Sequence, residues 1–101
     1  MKPTMEHVPQ PGGTVYLRHN GNRRISDHVF VGVTSLSYLC GYDWNPTKYQ
    51  AKNYTPVSKA EYDEYWWAAT NAGKIAKHVD RLLLNDYSLL RKVADLIGYV
   101  E

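Results

Sequence analysis

Apolar and polar residues alternate early in the chain and settle into a helical repeat towards its end. In Thr14–His19, Val15 and Leu17 alternate with Tyr16 and Arg18, the period of a half-buried strand. Asn20-Gly21 follows, a strong signal for a type I′ hairpin turn, because both central residues of that turn need positive φ. The return strand starts near Asn22–Ile25. Its richer part is Asp27–Thr34, with Val29, Val31 and Val33 facing one way and Phe30 and Gly32 the other. One hairpin with a bulge near Ser26-Asp27 fits this stretch, and so do two short strands. Thr34 or Ser35 can then cap a short helical turn over Ser35–Cys40, closed by Gly41. Tyr42–Pro46 reads as a loop, and Lys48–Tyr54 as a further strand of loosely alternating aromatic and polar residues.

From Pro56 the period changes. Ser58-Lys59-Ala60-Glu61 is a capping box, and Val57 and Tyr62 stand where a hydrophobic staple places its two apolar residues. Tyr62, Tyr65, Trp66 and Ala69 make one helical stripe, which assigns Trp66 to the core. Asn71-Ala72-Gly73 interrupts or ends that helix. A second stripe runs through Ile75, Val79, Leu82 and Leu83. Asn85-Asp86 breaks and re-caps the chain, with Ser88 a candidate N-cap, and a third stripe, Leu89/Leu90, Val93 and Leu96/Ile97, ends at Gly98. The expected fold is α+β, a small antiparallel hairpin or sheet from the N-terminal half packed against about three helices from the C-terminal half. Pro3, Pro9, Pro11 and Gly12-Gly13 make residues 1–13 an extended lead-in, with residues 14–101 as one domain.

Composition supports a globular chain: 101 residues, 44% hydrophobic and 22% charged. No run approaches the ~18 apolar residues of a membrane span, so no membrane partner is expected. Met1–Gly13 has no signal-peptide core, and the lone Cys40 allows no intrachain disulfide. Both point to the cytoplasm. The net charge of +2 is unevenly placed: residues 1–59 hold seven Lys/Arg against three acids, about +4, and residues 60–101 five against seven, about −2. Nine Tyr and three Trp stand beside a single Phe, a bias towards side chains that pair an apolar body with a polar tip.

Catalytic chemistry finds little support. His7, His19, His28 and His78 are isolated, without the spacing of a zinc site, so neither metal nor cofactor is expected. Cys40 beside Leu39 reads as a small buried hydrophobe more readily than as the thiol of a Cys40/His28 pair. No nucleophile elbow, Walker loop or dinucleotide fingerprint is present. Glu61, Asp63 and Glu64 sit in the opening turns of a helix, where they complement its dipole. A non-enzymatic protein is the expectation.

Binding chemistry is better represented. Arg18, Arg23 and Arg24 flank the Asn20-Gly21 tip beside Tyr16 and His19, and Lys48 and Lys52 alternate with Tyr49 and Tyr54. Arginines on a ribbon can contact phosphates while tyrosines stack on unpaired bases, the basis for DNA or RNA binding. Trp44, outside any periodic pattern, and Trp67, about 100° around the helix from Trp66, suit a protein interface, where Trp, Tyr and Arg are enriched. In size, aromatic richness and lack of an active-site motif, the chain resembles the small accessory proteins of bacteriophages and mobile elements. That resemblance implies an inhibitor that occludes a host defence or nucleic-acid-processing complex, as anti-CRISPR and antirestriction proteins do; a positive face would rule out the acidic DNA-mimic form, which needs a strongly negative surface. The leading expectation is a protein–protein binder with a host protein or complex as partner, or with a second copy of itself. The alternative is a nucleic-acid binder using the basic hairpin.

Overall fold

The computed structural model describes residues 1–99 and divides the chain into two compact units, Met1–Trp66 and the segment from Trp67 onward. Five strands come first: β1 (Thr14–His19), β2 (Ile25–Val33), β3 (Ser37–Tyr42), β4 (Asn45–Gln50) and β5 (Tyr54–Val57). Two helices follow, α1 (Lys59–Asn85), which crosses from the first unit into the second, and α2 (Tyr87–Leu96). All strand pairs are antiparallel, in the order β4-β3-β2-β1-β5. The outermost strands of that order, β4 and β5, are joined by only Ala51–Asn53. A flat five-stranded sheet cannot be spanned by three residues, so the sheet curls until its edges approach. An extra residue in β2, between Phe30 and Gly32, supplies part of the bend.

Curling encloses one face. Val15 and Leu17 of β1, Phe30 of β2, Tyr38 and Cys40 of β3 and Ala51 form a single buried cluster, with Val8, Tyr49 and Tyr54 half-buried against it. Cross-strand neighbours share a face, so the pairs Tyr16↔Asp27, Arg18↔Ile25 and Tyr16↔Val57 line the opposite side. That side receives the opening turns of α1. Tyr62 stacks on Tyr16 at 4.6 Å between ring centres and donates its hydroxyl to Asp27 Oδ1 at 3.2 Å. The N-terminal arm is tied in as well: Gly12 N–H donates to the Phe30 carbonyl and Phe30 N–H to that of Gly13, both at 2.8 Å, while the buried Tyr38 hydroxyl donates to the Thr4 carbonyl at 3.0 Å.

Several expectations need correction. The chain is α+β, but among the described residues its sheet has five strands and its helices number two, not about three. Asn71-Ala72-Gly73 does not end α1, because one mid-helix glycine costs only about 1 kcal/mol against alanine and the Asn71 amide donates to the Trp67 carbonyl one turn back, at 2.7 Å. Neither helix contributes a buried residue, so the sheet's core comes from strands and turns. Ser35–Cys40 is no helical turn. Thr34 Oγ1 accepts from the amides of Leu36 and Ser37 in a tight turn, and Ser37–Tyr42 then pairs with a strand on each side, which outweighs a weak local preference. Lys48–Tyr54 is the end of β4, a turn and the first residue of β5.

The first hairpin also departs from its expected form. Pairing starts at Arg18↔Ile25, and the positive φ falls on Arg23 (65°) rather than on Asn20 and Gly21. Asn20 is engaged elsewhere, donating from its backbone to the Asn53 carbonyl at 2.8 Å and accepting from the Thr55 hydroxyl at 2.7 Å. The capping box is half formed: Glu61 N–H reaches Ser58 Oγ at 3.2 Å, but the Glu61 carboxylate turns to Arg18. Asp86, not Ser88, caps α2, accepting from Leu89 N–H at 3.1 Å. Gly98, at φ 71°, closes that helix with bonds from Gly98 N–H to Asp95 and from Tyr99 N–H to Ala94.

Candidate functional site

The basic and aromatic residues singled out in the sequence separate into four places. Arg18 and Tyr16 of β1 are half-buried and hold the start of α1. The Arg18 guanidinium meets Glu61 Oε2 at 3.2 Å, its Nε is buried without a hydrogen-bond partner, and Tyr16 is covered by Tyr62. They are occupied by the fold.

Arg23 and Arg24 project from the turn after β1, and Lys52 from the turn after β4. Asn20 ties these turns together, its side-chain amide donating to the Lys52 carbonyl at 3.2 Å and its backbone to Asn53. His19 Nδ1 accepts from Gly21 and Asn22, and Asn22 Oδ1 accepts from Arg24 N–H at 2.9 Å, so the turn is braced internally. Three exposed cations thus share one end of the sheet. Lys52 also lines a groove of about 460 Å³ with Lys48, Gln50 and the Thr34–Ser37 turn, and among the described residues no acid lines it.

The third place is the tip of the β3–β4 hairpin. Tyr42 pairs with Asn45, leaving Asp43-Trp44 as a two-residue loop, and Gly41 takes φ 103° on the way in. A side chain at such a tip cannot reach the core. Trp44 and Tyr42 instead stack on each other at 4.7 Å and 20°, and remain 79% and 64% exposed. They border a groove of about 440 Å³ lined also by Pro11, Gly12 and Val29–Val31, with Asp43 the one charged lining residue among the described residues. Tyr42 was not singled out from the sequence, although its spacing two residues from Trp44 across a tight turn was a usable signal.

Trp67 stands in the helical unit and is 62% exposed. Trp66, expected in the core, is also more than half exposed, touching Tyr62 and Tyr65 edge-on at 6.3 and 5.8 Å. The core closed without it because its apolar volume came from the strands and the N-terminal arm.

Reactive chemistry is muted. Burial pushes the Cys40 thiol up to about 11, the reverse of an activated nucleophile. Burial lowers the His28 pKa, against the pull of Asp27. His28 Nε2 lies 2.7 Å from Ser26 Oγ, and its ring packs at 4.5 Å on Tyr49. Among the described residues no group of three or more His, Cys, Asp or Glu is placed to hold a metal ion, and no helix is long and apolar enough to cross a membrane. No family model matches this chain, and no curated protein or solved structure is significantly similar to it.

Proposed function

We propose that this is a non-enzymatic binding protein that seats a partner protein on the aromatic tip of its β3–β4 hairpin. The observation that carries the reading is the stacked, exposed Tyr42–Trp44 pair at the mouth of the apolar groove over Val29 and Phe30. Holding two large rings in water has no folding benefit beyond their mutual contact. A stacked pair is also rigid, so it loses little side-chain entropy when covered, which is the economy that makes Tyr and Trp binding anchors. Asp43 biases the groove towards a partner that brings a cation beside an apolar side chain.

In its specific form the protein is an accessory inhibitor that works in the cytoplasm by occluding a host defence or nucleic-acid-processing complex. The small size, the buried protonated thiol and the lack of a strongly negative surface are in keeping with occlusion rather than catalysis or DNA mimicry. The test is affinity capture from the native host with wild-type, Trp44→Ala and Tyr42→Ala chains. The reading expects a captured partner that both substitutions release with the thermal midpoint nearly unchanged. Undiminished capture by both variants contradicts it.

A second reading has its own support. Arg23, Arg24 and Lys52 converge through Asn20, and Lys52 continues into the groove with Lys48, a layout suited to a phosphate backbone. It expects retardation of a nucleic acid at low salt that falls steeply as salt rises and is lost on Arg23→Ala/Arg24→Ala. No retardation at low salt removes it.

A further inference from the structure

The groove beside the Thr34–Ser37 turn offers a ligand positive charge and hydrogen-bond donors. Lys48 and Lys52 bring two ammonium groups to it, and among the described residues no acid lines it. Asn53 donates to Gln50 Oε1 at 3.5 Å, which leaves the Gln50 N–H groups as what that side chain can give. Ser37 is only 6% exposed, and Thr34 engages both its amide and its carbonyl. The hydroxyl is what Ser37 has left to offer the groove it lines.

Such a lining selects an anion with several oxygens, and a phosphate is the anion that can use several donors at once. A bare ion would not fill the space. At about 460 Å³ the groove is in the size range of small-ligand sites, so the phosphate arrives on a larger carrier. Leu36, exposed on the same turn, gives the apolar part of that carrier a surface to lie on. The charge does not stop at the groove. Asn20 ties the Lys52 carbonyl to the turn that carries Arg23 and Arg24, so two further cations stand where a carrier with repeated phosphates would continue. That carrier is a nucleic acid. A groove between a tight turn and an edge strand admits one backbone, and its hydroxyl sits in a nearly buried residue. A flexible single strand can lower a phosphate to that depth. The convex backbone of a duplex would rest on the rim.

We propose that this groove is a phosphate site for single-stranded nucleic acid, in which Lys48, Lys52, Gln50 and Ser37 hold the strand and Arg23 and Arg24 continue its path. The inference rests on the nucleic-acid reading and adds to it the groove and the preference for one strand.

The test is fluorescence anisotropy of the full chain with a labelled single-stranded oligonucleotide and with the same sequence as a duplex, over a range of salt. The single strand should bind more tightly than the duplex. Lys48→Ala/Lys52→Ala should weaken single-strand binding about tenfold and flatten its salt dependence by about 1.4 in slope, two contacts at ~0.7 each. Ser37→Ala should weaken it several-fold with the thermal midpoint unchanged, since that hydroxyl is assigned to the ligand. Duplex binding as tight as single-strand binding overturns the proposal, and so does single-strand affinity that survives Lys48→Ala/Lys52→Ala. If either result comes with binding that is lost on Arg23→Ala/Arg24→Ala, the hairpin reading stands without the groove. Binding of neither oligonucleotide at low salt removes both.

Discussion

The two units of this chain meet the same physical demand in different ways. The sheet unit alternates apolar and polar residues over short strands, and by curling it turns one face of every strand inward on Val15, Leu17, Phe30, Tyr38 and Cys40. It carries its own cover. The helical unit is as clearly amphipathic, but leaves its aliphatic stripes in water. Amphipathic periodicity states that a face must be covered; it does not state by what. A curled sheet can supply the cover from its own length, whereas two helices alone have too little surface to do so.

This contrast predicts unequal costs for equal substitutions. Leu17→Ala removes a fully buried side chain from the centre of the sheet cluster and should destabilise the sheet unit by about 2–5 kcal/mol in chemical denaturation. Leu82→Ala should cost under about 1 kcal/mol, since an exposed side chain leaves no cavity. Equal losses would erase the distinction. Within the helices, Gly73→Ala should raise helical stability by roughly 1 kcal/mol, because a Cβ there meets nothing within 4 Å and no positive φ is required. A fall in helicity on that change would mean that Gly73 serves a close approach.

Smaller effects test how the sheet holds the start of α1. The Arg18–Glu61 pair is solvent-screened, with the Glu61 side chain 46% exposed, so a double-mutant cycle should give a coupling of less than about 1 kcal/mol. The least effect concerns His28. Burial lowers its pKa below 6.5, so on acidification the unfolded chain takes up the proton first. The associated stability is therefore complete above about pH 6.5 and is lost as pH falls from there through the lower folded value. Thermal midpoints on either side of pH 6.5 should differ, and His28→Gln should flatten the difference.

Much of the sheet unit was legible locally. The Val15/Leu17 alternation marked β1 residue for residue, and Ser58 and Gly98 marked where helical structure starts and stops. What escaped was decided at a distance. Ser35–Cys40 looks helical until β2 and β4 flank it, and Asn20-Gly21 looks like a two-residue turn until Asn53 and Thr55 claim Asn20. Of the binding candidates, Trp44 stands out in sequence because no period contains it. Arg18 does not separate from Arg23 and Arg24 there, because its diversion to Glu61 depends on α1 lying over that face.

Hydrogen exchange along the full chain tests the central claim most directly. The account predicts that amides of β1, β2 and β3 are strongly protected. Those of α1 beyond Trp67 and of α2 should exchange quickly, because no residue there is buried. Helical amides as protected as those of the sheet would contradict it.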